Sequence, residues 1–127
     1  MLDTDSVSFA LRGEGRVAAE LRRRAPSQVC VSAVTVAELW FGVEKRRSTK
    51  LRRIVQAFVD TIEVAAVDAD VGRRFGEVAA ALAERGKPIG AFDALIAAHA
   101  LHTGSVLVTH NVAHFRLVSR LRLEDWY

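Results

Sequence analysis

Short β-branched runs alternate with longer stretches of helical periodicity along the whole chain, and this alternation restricts the fold more than any other feature. A strand, helix, strand order needs crossover connections, which points to an α/β fold with a parallel sheet. Strands are expected at Met1–Thr4, Gln28–Val31, Ile62–Val67 and Val106–Thr109, with Leu121–Leu123 as a late edge strand. Helices are expected at Ser6–Arg12, Arg16–Arg24, Ala33–Arg46 with Ser32 as N-cap, Lys50–Asp60, Ala69–Arg85 and Ala91–His102, with a short one after Asn111. Gly86-Lys87-Pro88 breaks the chain, and Thr103-Gly104 stops the helix before it. No connection exceeds a few residues, and 127 residues suit one domain, residues 1–127.

The first strand is oddly short, because only Met1 and Leu2 precede Asp3. Either it pairs over its last residues alone, or the natural chain starts upstream. No apolar run approaches the ~18 residues of a membrane span, and the basic-then-apolar layout of a signal peptide is missing. The expectation is a cytoplasmic protein with no membrane partner. A lone cysteine, Cys30, cannot form an internal disulfide and reads as a small buried hydrophobe.

Net charge is +3, and the basic residues cluster at Arg22–Arg24 and again across Lys45, Arg46, Arg47, Lys50, Arg52 and Arg53. Solvated helix faces and phosphate-tracking surfaces account for such clusters equally well. The aromatic residues do not interleave with these charges, so base stacking is not expected.

In open parallel sheets the ligand site lies beyond the carboxyl ends of the strands. Three acids fall there. Asp3 ends the first strand, Glu38 is the only charge in SAVTVAELWFGV, and Asp93 is the only formal charge in PIGAFDALIAAHAL. A carboxylate on an apolar face costs several kcal/mol of desolvation unless a cation compensates it. Taken singly, Asp3 reads as a helix-start acid and Asp93 as a first-turn dipole partner. Glu38 resists that reading, since it lies past the first turn among Val34, Ala37, Phe41 and Gly42. Together the three suggest a concentrated negative site, and oxygen ligands without a His or Cys cluster suit Mg²⁺ or Mn²⁺.

Four segments, LDTD at 2–5, SAVTVAELWFGVEKR at 32–46, GKPIGAFDALIAAHA at 86–100 and LVTHNVAHF at 107–115, give the chain its resemblance to PIN-domain ribonucleases of the VapC toxin type. The resemblance implies a three-layer α/β/α fold around a central parallel sheet and Mg²⁺- or Mn²⁺-dependent endonucleolytic cleavage of RNA. It also implies neutralisation by a VapB-type antitoxin and a homodimer within the toxin–antitoxin complex. Carried over residue by residue, it makes Asp3, Glu38 and Asp93 catalytic, with Asp3 and Asp93 holding the metal and Glu38 orienting the attacking water. The products would carry 5′-phosphate and 3′-hydroxyl ends. The family's late motif reads Thr109-His110-Asn111-Val112-Ala113-His114-Phe115, with His114 where Asp is common. Thr109 and Asn111 match the motif and are candidates to position water or a substrate phosphate. His114 either weakens a second metal position or serves as ligand or acid itself.

Two other functions fit parts of the sequence. Asp3-Thr4-Asp5 also looks like the nucleophile pair of haloacid-dehalogenase-type phosphatases, although Ser6-Val7 follows it and the late acidic pair is Glu124-Asp125. A PIN domain that has lost catalysis and only binds RNA or protein is the non-enzymatic alternative. Asp5 is expected to cap the first helix or orient Asp3. Trp40 and Phe41 read as core or partner-facing surface, and His99 and His102 as dipole partners or solvent-exposed residues near a helix end. Glu44, Asp68 and Asp70 read as surface or capping acids.

Overall fold

A computed structural model describes residues 1–127. Seven helices are present: α1 (Thr4–Arg12), α2 (Val17–Arg23), α3 (Ala33–Arg46), α4 (Thr49–Val59), α5 (Ala69–Glu84), α6 (Ala91–His102) and α7 (Val112–Phe115). The strands are β1 (Cys30–Ser32), β2 (Glu63–Ala65), β3 (Leu107–Val108) and β4 (Leu123–Glu124). β1 pairs with β2 and β3 with β4, both parallel. Leu2 joins the two halves through parallel bridges to Val31 and Val108, so the order across the sheet is β2, β1, Leu2, β3, β4.

Neighbouring residues on each strand point to opposite faces, and this divides the core in two. Met1 and Leu107 pack with Val78, Leu82, Ile96 and Ala97 under α5 and α6. Leu2, Val31 and Val108 pack on the other face with Val7, Val17, Leu39, Val43 and Val55. The α/β expectation is therefore met, with helices over both faces of a parallel sheet. Helix α3 contributes to both clusters, Val34 to one and Leu39 and Val43 to the other. It thus crosses the sheet margin just beyond β1.

The expected strand at Met1–Thr4 shrinks to one bridging residue. Asp3 is extended, at φ −77° and ψ 174°, and its carboxylate accepts the Ser6 N–H at 2.7 Å. That bond makes Asp3 the N-cap, so α1 starts at Thr4 rather than Ser6. The strand expected at Gln28–Val31 starts at Cys30, because Pro26–Gln28 form a 3₁₀ turn in which the Gln28 side chain accepts the Ala25 N–H. Ile62–Val67, Val106–Thr109 and Leu121–Leu123 likewise narrow or shift to the residues that ladder with a neighbour. Cys30 is only partly buried against the core.

Helix α6 was expected to leave His99 exposed or near the helix-end dipole. Instead His99 is 1% exposed, because alanines at 94, 97, 98 and 100 let α6 sink into the core on nearly all sides. Its Nδ1 lies 2.8 Å from the Ser32 hydroxyl, which also accepts the Val34 N–H at 3.1 Å and so caps α3. Burial holds the imidazole below its usual pKa. One histidine thereby ties α6 to the start of the helix that carries Glu38.

Candidate active site

Each of the three acids enters from a different element at the carboxyl ends of the strands. Asp3 follows Leu2, Glu38 sits in the second turn of α3, and Asp93 lies in the first turn of α6. Asp3 is the most constrained. It is 4% exposed, its N–H donates to the Val108 carbonyl at 3.0 Å, and its carboxylate caps α1. Ser6, also buried, donates its hydroxyl to the same carbonyl at 3.1 Å. Burial pushes the Asp3 pKa up, against the opposing pull of the Thr109 and Ser6 hydrogen-bonding groups.

Glu38 is half-buried, and the Thr4 hydroxyl donates a short hydrogen bond to its Oε2. Its pKa is raised by burial first; Thr4 opposes that, while the charges of Asp93, Asp5 and Asp3 add to it. Asp93 is raised for the same leading reason, and His114 counters it. His114 Nε2 lies 3.1 Å from Asp93 Oδ2, within ion-pair range but not aligned for a hydrogen bond. No lysine or arginine pairs with any of the three acids; His114 is the one basic side chain in contact with them.

The remaining sequence candidates divide. Thr109 is fully buried and its hydroxyl oxygen accepts the Asn111 N–H at 3.0 Å, so it stiffens the turn after β3 beside Asp3. The Asn111 side chain is exposed, and its carbonyl accepts from His114 and Phe115 to start α7. Asp5 does not cap α1, since Asp3 does; it is exposed and adds negative potential to all three acids. Asp68 caps α5, Glu44 pairs with Arg52 at 2.5 Å, and Asp70 pairs with Arg73 at 3.2 Å. Trp40 packs partly into the core, whereas Phe41 is 67% exposed.

Thr4 and Ser6 escaped the sequence reading. The available signal was the N-cap pattern of Asp3 ahead of an apolar-periodic run, which places Thr4 in the first turn and gives Asp3 a partner three residues on. The Thr4–Glu38 bond had no sequence signal, because it spans 34 positions.

These carboxylates suit a hard divalent cation through their chemistry: oxygen donors, driven toward protonation by burial and uncompensated by arginine or lysine. No three acidic, cysteine or histidine side chains converge to metal-ligand spacing. The fit therefore lies in the donor set and not in a preformed cage.

A PIN-domain profile matches residues 1–121. The tRNA(fMet)-specific endonuclease VapC of Shigella flexneri is 35% identical over 127 residues, covering 99% of this chain and 96% of the relative. Ribonuclease VapC2 of Haemophilus influenzae is 32% identical over the same share of both chains. The DNA-bound VapBC complex of Salmonella typhimurium superposes with a TM-score of 0.90 at 34% identity, covering 100% of this chain and 97% of that one. These likenesses leave the phosphatase alternative without support, and PIN nucleases are typically metal dependent. Acids gathered at the carboxyl end of a parallel sheet and full-length similarity to known toxins lead to one assignment: the chain belongs to the PIN-domain family, as a VapC-type ribonuclease of the toxin–antitoxin class.

Proposed function

We propose that this endoribonuclease works as a single domain over residues 1–127, with Asp3, Glu38 and Asp93 supplying its chemistry. The observation that carries the reading is that three carboxylates at the carboxyl end of the sheet, Asp3 buried and Glu38 and Asp93 partly so, have no lysine or arginine paired with them. Asp3 and Asp93 would hold Mg²⁺, or Mn²⁺ in its place. When bound, the ion supplies Lewis-acid polarisation of the scissile phosphate and offsets the charge that develops on it.

The chain's own groups do the rest. Glu38, half-buried with its pKa raised by burial, is suited to orient a water and accept its proton. Thr4 fixes Oε2 of that carboxylate and leaves Oε1 for the water. His114 stands where the family commonly has a fourth acid and steadies Asp93 Oδ2. Thr109 stiffens the turn behind Asp3, and the exposed Asn111 amide is placed to hydrogen-bond a substrate phosphate or water.

The substrate we propose is a transfer RNA, on the strength of the relative named for tRNA(fMet) cleavage. The partner proposed is a VapB-type antitoxin, with two copies of this chain in the complex, and the compartment proposed is the cytoplasm. No helix is long and apolar enough to cross a membrane. The test is end-sequencing of total tRNA after incubation with the chain and Mg²⁺, alongside Asp3→Asn. New 5′-phosphate ends in initiator tRNA are expected, with Asp3→Asn reduced by on the order of 10³-fold and still folded. Equal cleavage by Asp3→Asn would sink the assignment of the acids, and ends confined to other RNAs would overturn the substrate.

A further inference from the structure

Three aromatic rings separated in sequence meet at the end of the sheet where the strands run out toward the acids. Phe9 lies on α1, six residues past the Asp3 cap, or about 9 Å along the helix axis. His110 follows Thr109 directly at the end of β3, and Tyr127 lies just past β4. The His110 and Tyr127 ring centroids are 4.4 Å apart and tilted by 35°. Phe9 meets Tyr127 edge-on at 4.7 Å and His110 at 5.8 Å. Phe9 is half-buried, whereas the His110 side chain is 49% exposed and Tyr127 is 44% exposed.

The arrangement is held from several sides. Asp125 binds His110 Nδ1 at 3.1 Å and also accepts the Tyr127 N–H at 2.9 Å. Arg16 donates its backbone N–H to the Trp126 carbonyl at 3.2 Å, and its guanidinium donates to a main-chain oxygen of Tyr127 at 3.4 Å. Gly15, at φ 61°, makes room for all of this, since a Cβ there would come within 2.9 Å of the tyrosine ring and 3.0 Å of its Cα. Exposed rings are normally left loose, and these are not.

We propose that His110 and Tyr127, backed by Phe9, form a stacking platform for an unpaired base of the RNA flanking the scissile phosphate. The proposal rests on the ribonuclease reading for the identity of the strand. A base is favoured over a phosphate because the nearby cations are already engaged: Arg12 lies 5.2 Å from the Phe9 ring but is bound to Glu14 at 2.7 Å, and Arg16 acts on Asp125. What the patch offers is exposed aromatic surface on two partly stacked rings, and bases stack on aromatic rings with little regard to sequence. His110 spends Nδ1 on Asp125, so Nε2 is the ring nitrogen available to a base edge.

The experiment uses single-stranded oligoribonucleotides carrying 2-aminopurine, titrated with the full chain in EDTA so that binding is read without cleavage. Quenching of the fluorophore is expected, with about tenfold weaker binding for Tyr127→Ala and for His110→Ala and retention by Tyr127→Phe. In Mg²⁺, Tyr127→Ala should raise KM more than it lowers kcat, and an abasic nucleotide at the stacking position should erase the difference from the parent chain. Melting curves separate a lost contact from a lost fold. Both alanine variants binding and quenching like the parent would overturn the platform, as would losses confined to antitoxin binding, which would assign the surface to a protein. Intact quenching with no cleavage by any variant would support the platform and sink the ribonuclease reading alone.

Discussion

Two regions of the molecule handle charge in opposite ways. Where α2 meets β4, the Arg24 guanidinium lies 2.6 Å from Glu20, 3.7 Å from Glu124 and 3.9 Å above the Trp126 ring. Trp126 in turn donates its Nε1–H to Glu124 at 2.8 Å. At the acid end, Asp3, Glu38 and Asp93 have hydroxyls, backbone N–H groups and one histidine for company, and burial works against the charge of each. The first arrangement lowers the energy of the folded chain and leaves nothing to react with. The second keeps a desolvation cost that a cation and a phosphate can relieve, which is where chemistry becomes available.

That contrast breaks most plainly if activity and stability follow the same substitutions. Asp93→Asn should lower RNA cleavage by on the order of 10³-fold while the melting temperature holds or rises, because a carboxylate with a raised pKa costs stability when ionised. A clear fall in melting temperature would show that Asp93 is structural. Arg24→Ala should do the reverse, lowering stability by about 1–2 kcal/mol through the lost stacking and ion pairs, with cleavage staying within about twofold of the parent. Loss of activity without loss of stability there would erase the distinction.

The smallest effect sharpens the comparison by pH. In EDTA the three acids stabilise the fold least when ionised, so their contribution is full below about pH 4 and declines as pH rises through their raised folded pKa values. His99 opposes this trend: burial keeps it neutral, so stability falls as pH drops below about 6.5. The acids' part is isolated by difference. A chain carrying Asp3→Asn, Glu38→Gln and Asp93→Asn should gain on the parent in melting temperature as pH rises from about 4 to about 7. A flat difference across that range would remove the electrostatic distinction between the two regions.

Legibility followed the range of the interaction. Helices α3 and α6 begin and end where the capping and breaking residues predict, from Ser32 to Arg46 and from Ala91 to His102. Strand limits were poorer, since a ladder needs a partner, and at Met1–Thr4 the local Asp3–Ser6 cap outcompeted strand extension. The three acids were legible because Glu38 and Asp93 are lone charges in apolar stretches and Asp3 ends the first strand. His99 was misread, because its burial depends on how deeply an alanine-rich helix sinks against a sheet. The sequence shows no aromatics interleaved with its basic clusters, and the meeting of the rings at residues 9, 110 and 127 is visible only in space.

By itself the sequence determined the α/β class, the main helices, the three carboxylates and the family, because periodicity, capping and motif spacing are carried by residues close together along the chain. The tertiary structure alone decided that Leu2 is the single link between the halves of the sheet, that Thr4 holds Glu38, that His114 stands against Asp93, and that Phe9, His110 and Tyr127 form one surface. Each of these joins residues at least 17 positions apart, and contacts at that range arise from the way the whole core closes.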